Sequence, residues 1–155
     1  MTVAAGDPKQ FALDISAFVK RAKSNMNQVV RKIVLDLGTR IVMRSPVGDA
    51  QFWKNPPPKN YLGGRFRSNW LYGETVMPQG TLLSIDPKGN ATVVRILAGI
   101  KPDAAGKIHW LTNNLPYAQR LEYGWSKRQA PAGMVAITVV EYQSIVRNAA
   151  AAVNK

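Results

Sequence analysis

A chain of 155 residues with 46% hydrophobic content is the size of one domain, in which folding hides roughly 70% of the surface the unfolded chain exposes. It has no cysteine and one histidine, which leaves no disulfide scaffold and no thiolate metal site. Its 21 Lys and Arg face only 9 Asp and Glu, a formal charge of +12 that favours contact with a polyanion and says nothing about fold.

No apolar run approaches the roughly 20 residues that span a bilayer, so no membrane partner is expected. The opening MTVAAGDPKQFALDI meets charge and proline too early for a secretion signal. A reducing cytoplasm suits such a chain.

The first strong pattern runs from about Asp14 to Arg44. Ile15, Phe18, Val19, Ala22, Met26, Val29, Val30, Ile33, Leu37 and Ile41 recur at spacings of three and four, the stripe of a long amphipathic helix. Lys20, Arg21, Arg31 and Lys32 fall on the far side, where they are solvated or face a partner such as DNA. Arg40 and Arg44 rotate towards the apolar side near the negative helix end, and Pro46 stops the helix at Ser45.

Residues 47–64 have no period and are crowded with Pro, Gly and Asn, which predicts a long loop. Phe52, Trp53 and Tyr61 argue against a mere linker. They fit an arm that docks on another subunit and equally one that packs on its own domain. Residues 65–76 alternate as a strand, with Phe66, Ser68, Trp70 and Tyr72 opposite Arg67, Asn69 and Leu71. A loop follows over 77–90. ATVVRILAGI at 91–100 fits a strand or a short helix, and Asn90 as a cap tips the balance to helix. KIHWLTNN at 107–114 reads as a strand. A final helix is expected from Met134 to about Val153 on Ile137, Thr138, Tyr142, Ile145, Ala149 and Val153, with an extended AITVV at its start as the alternative. The expected fold is a single α+β domain over 1–155: a long N-terminal helix and a C-terminal helix packed on a small antiparallel sheet, with 47–64 as a long Pro/Gly-rich arm loop.

Chemistry is sparse. The acids are scattered, and a lone His109 beside Trp110 in a strand is far more often structural than a ligand. Ser126 in GWSKR lacks the glycine frame of a nucleophile elbow. LGGRF precedes a strand and carries no Lys-Ser/Thr pair for phosphate. No catalytic, metal or cofactor site is expected, and no zinc-finger, RNA-recognition or helix-turn-helix pattern is present.

Two blocks carry a resemblance. SPVGDAQFWKNPPPKNYLGGRFRSNW at 45–70 and NNLPYAQRLEYGWSKRQAPAGMV at 113–135 together resemble the neck or tail-completion proteins of long-tailed phages. The shared frame is Ser-Pro-Val with a downstream Gly-Arg and Asn-Trp, then Asn with Tyr-Ala, Leu-Glu, Gly, Ser and Gln-Ala-Pro-Gly-Met. Many members have a compact Pro-Val-Asp-Thr-Gly-Arg, whereas here residues 48–63 stand between Val47 and Gly64-Arg65.

The resemblance implies a virion structural subunit without enzymatic activity, forming a ring, hexameric by the symmetry of phage tails, around the DNA channel between head and tail. Its implied partners are other copies of the chain, head-completion (stopper) or adaptor proteins, a tail terminator or tail tube, and the passing genomic DNA. It would be assembled in the host cytoplasm and found in the virion neck. A tail terminator capping the tail tube, or a free basic DNA-binding protein, are the alternatives. Interface residues would come from Phe52, Trp53, Tyr61, Arg65, Trp70, Tyr117, Glu122, Trp125, Gln129, Pro131 and Gly133, and DNA-facing ones from Lys20, Arg21, Arg31 and Lys32. Within the second block, Asn113 and Asn114 would tie down a turn, and Pro116 would open a short helix that points Tyr117, Ala118 and Leu121 inward and ends near Gly124. Glu122 would pair with an arginine such as Arg65 or Arg120.

Overall fold

A computed structural model describes residues 7–153. Helix α1 spans Pro8–Arg44, beginning well before the expected Asp14. Asp7 accepts from the backbone N–H of Lys9 at 3.0 Å, and Pro8, with no N–H to lose, occupies the first turn. At the other end the Ser45 hydroxyl donates to the Ile41 carbonyl at 2.7 Å, and Pro46 follows.

The apolar stripe of α1 does not face inward along its length as expected. Val34, Gly38, Ile41 and Val42 are buried, while Ile15, Phe18, Val19 and Met26 are exposed. The reason is length: at 1.5 Å per residue, 37 residues make a rod of about 55 Å, and the remaining chain covers only its C-terminal half.

Residues 65–68 are the second correction. Arg65–Ser68 form one helical turn, α2, and only Leu71–Glu74 are a strand, β1. Side chains decide this. Ser68 Oγ donates to the Arg65 carbonyl at 2.9 Å and Asn69 Nδ2 to the same carbonyl at 2.7 Å, a local bonding pattern that competes with strand pairing. Asn69 also clasps Leu82, donating to its carbonyl and accepting from its N–H at 2.7 Å, so the following loop is fixed from within. Strand β2, His109–Thr112, pairs antiparallel with β1 in the register Leu71 with Thr112 and Glu74 with His109.

Helix α3, Asn90–Gly99, confirms the helical alternative for 91–100. Asn90 is not its cap. The buried Asp86 carboxylate does that work, accepting from Gly89 N, Thr92 N and Thr92 Oγ1, each at 2.8 Å. Burial opposes ionisation of Asp86, but the bonds from Thr92 and Gly89 and the charge of Arg67 outweigh it and hold the carboxyl below its usual range. A depressed folded-state value stabilises the fold above the unfolded value and loses that contribution as pH falls through the folded one. Stability should therefore drop as the pH falls below about 4, and less steeply in Asp86→Asn, as urea titrations at several pH values would read; identical slopes for both proteins would refute the role.

Short helices α4, Ala118–Glu122, and α5, Val135–Val140, precede α6, Tyr142–Val153. The expected single C-terminal helix is thus broken at Glu141, which accepts from Arg40 at 2.6 Å and Arg44 at 2.8 Å. The core gathers Val34, Ile41 and Val42 of α1 with Phe66, Trp70, Ile96, Ile100, Leu115 and Met134. The fold of the described residues is α+β and mostly helical, with a long first helix, a C-terminal helix of 12 residues and one two-stranded antiparallel sheet. Among the described residues no helix is long and apolar enough to cross a membrane.

Candidate assembly interface

The two sequence blocks meet in space. Trp70 Nε1 donates to Ser45 Oγ at 2.7 Å, which closes the first block on itself. Asn113 Nδ2 donates to the Phe66 carbonyl at 2.9 Å, and the Phe66 ring lies 6.1 Å from that of Tyr117. Gln129 clasps Val47 at both ends, accepting from its N–H at 2.7 Å and donating to its carbonyl at 2.9 Å. The arm therefore packs on its own domain, at the corner formed by the second block. Arg67, between them, donates to the carbonyls of Met43, Ser45 and Pro87; burial lowers its pKa, and Asp86 pulls the other way. A guanidinium on the last carbonyls of α1 suits the negative end of that helix.

Between arm and corner lies a groove of about 810 Å³. Phe52, Trp53 and Tyr61 line one wall, and Tyr117, Leu121 and Trp125 the other. The Trp53 and Tyr61 rings pack with centres 4.5 Å apart and planes tilted by 55°, and the guanidinium of Arg128 sits 4.2 Å over Phe52. Burial raises the Tyr61 hydroxyl's pKa; it also raises that of Tyr117, against the opposing pull of Arg65. Both stay neutral phenols at ordinary pH. Lys54, Arg65 and Lys127 complete a rim whose cations, Arg128 included, form no ion pair among the described residues. The lining is apolar in its walls and net positive, four cations against the single carboxylate of Asp49.

The predicted interface residues divide sharply. Phe52, Trp53, Tyr61, Arg65, Tyr117, Trp125 and Gln129 all line this groove, and Pro131 is exposed beside it in the chain. Trp70 and Gly133 are buried and serve the fold. Glu122 pairs with neither Arg65 nor Arg120: its carboxylate accepts from the backbone N–H groups of Met134, Val135 and Ala136 at 2.8–3.0 Å, and so caps α5. Arg120 lies over the Trp125 ring instead, at 5.7 Å. Lys20 and Arg21 are exposed on α1 far from the groove, whereas Lys32 pairs with Asp36 at 3.4 Å and Arg31 is half-buried.

His109 is structural. Its Nε2 donates to the Ala104 carbonyl at 2.9 Å, and its Nδ1 accepts from the Tyr72 hydroxyl at 2.8 Å. Both nitrogens are engaged. Sequence reasoning missed Asp86 and Arg67; the Asp-Pro-Lys-Gly-Asn run at 86–90 is a turn signal that could have revealed the first.

No protein-family model matches this chain, and no curated protein or solved structure is significantly similar to it.

Proposed function

We propose that this chain is a structural subunit of the neck of a tailed phage, of the tail-completion class, which forms a ring around the DNA channel between head and tail. The observation that carries the reading is the convergence of the two blocks that resemble that family. Ser45, Val47, Phe66 and Trp70 of the first bond or pack against one another and against Asn113, Tyr117 and Gln129 of the second, so the resemblance falls on one connected unit of the fold rather than on scattered residues. Groups that could do acid–base chemistry hold structure instead: His109 spans two partners, Glu122 caps a helix and Glu141 binds two arginines.

Under this reading the groove is an assembly surface, and the exposed Lys20 and Arg21 face passing DNA. Neighbours would be a stopper or adaptor on the head side and a terminator or tube on the tail side. Mass spectrometry of purified particles should find the chain at ring stoichiometry. Trp125, 72% exposed, is the clean probe, since its replacement leaves the core intact: Trp125→Ala should lower the yield of tailed particles in complementation. Absence from particles, together with monomer affinity for duplex DNA that falls steeply with salt, would favour a free DNA-binding protein instead.

A further inference from the structure

The N-terminal half of α1 and the groove are made for each other. Phe11, Asp14, Ile15 and Phe18 follow one another at the spacings of a single helix face, and the three apolar ones are 67%, 48% and 62% exposed. Asp14 is the sole charge between Gln10 and Val19. Among the described residues every other Asp and Glu meets a cation or a backbone amide, whereas Asp14 meets the Gln10 side chain, at 2.9 Å. The groove offers the complement, aromatic walls and four cations, Lys54, Arg65, Lys127 and Arg128, that form no ion pair among the described residues and outnumber the one carboxylate of its lining, Asp49. An amphipathic helix laid into an apolar groove through anchors at these spacings is a recurrent mode of recognition.

The two surfaces cannot meet within one molecule. Phe18 lies 28 positions before Pro46, which lines the groove, and a helix of 1.5 Å rise puts about 40 Å between them. We propose that the Phe11–Phe18 face of α1 in one copy docks in the arm–corner groove of a second copy, with Asp14 facing the Arg65 and Lys127 side of the rim. Because the knob and the groove are different patches, the contact is heterologous and repeats from copy to copy. It specifies the interface of the ring inferred above and rests on that reading for closure alone.

Sedimentation velocity and native mass spectrometry of the full chain, up to about 1 mM, test it. The wild type should form multimers. Phe18→Asp and Trp125→Asp should each be monomeric with unchanged far-ultraviolet circular dichroism, because both side chains are exposed. An equimolar mixture of the two variants retains one intact knob and one intact groove, and should give a heterodimer and nothing larger. Asp14→Lys should weaken association at least tenfold, and Arg65→Glu in the same chain should restore it. A wild type that stays monomeric, multimers that survive either single variant, or a mixture that stays monomeric would overturn the proposal. So would a single-stranded oligonucleotide whose binding is lost in Trp125→Asp while the multimers persist. A chain that multimerises as described but is missing from virions would sink the neck reading and leave the interface standing.

Discussion

Gly64→Val should lower stability by at least about 3 kcal/mol, a fall in Tm of about 10 °C for a chain of this length. Gly64 holds φ at +108°, where a β-branched residue is strained. Space is short as well: a Cβ there would lie 2.5 Å from the Pro87 nitrogen and 2.7 Å from the Asp86 carbonyl carbon, backbone atoms that cannot swing away. Moving them would disturb the Asp86 cap of α3 and the carbonyl that Arg67 holds. Thermal melts followed by circular dichroism measure the effect, and a variant melting within about 2 °C of wild type would refute this account of the Gly-Arg pair. The groove sits on the same residues, since Gly64 and Arg65 line it, so loss of the turn should also abolish assembly.

How much of this was legible in the sequence follows from the range of each signal. The helix of α1 could be read because its period is local and long, and its cap box of Asp7-Pro8 could have set the start two turns earlier. Which part of its apolar stripe is covered could not be read, because coverage depends on how far the rest of the chain reaches along a rod. At 65–68 alternation predicted a strand, and the competing bonds of Ser68 and Asn69 to Arg65 won. Phe52, Trp53 and Tyr61 stand out in the sequence as aromatics in a loop, and Trp125 enters only through the resemblance; the four share a groove, and that their two segments face each other rests on Gln129 and Val47, 82 residues apart, a pairing with no local trace. The resemblance implies an arginine partner for Glu122, such as Arg65 or Arg120, but three backbone N–H groups at a helix start offer a carboxylate more bonds than one guanidinium.

That cap makes Glu122→Ala the second large effect. Three amides would lose their acceptor at once, for a cost of about 3 kcal/mol when each is worth roughly 1. Glu122→Gln should fall between, because one carbonyl oxygen remains to accept while the new NH₂ group faces amides that also donate. The location of the damage is the sharper test. Hydrogen exchange should accelerate at Met134, Val135 and Ala136 in Glu122→Ala before it does in α3 or the C-terminal half of α1, since the bond anchors a corner rather than the core. Gly133 belongs to the same latch: with φ at +78°, a Cβ on it would sit 2.5 Å from Glu122 Oε1, so Gly133→Val should reproduce both the exchange pattern and the loss of stability. Uniform acceleration across all helices would mean that Glu122 acts on global stability and not on the corner. Local acceleration has a functional corollary, because Trp125 and Gln129 hang from the segment between Glu122 and Gly133: the groove wall should lose its shape, and copies carrying Glu122→Ala should self-associate less than wild type at temperatures where they remain folded.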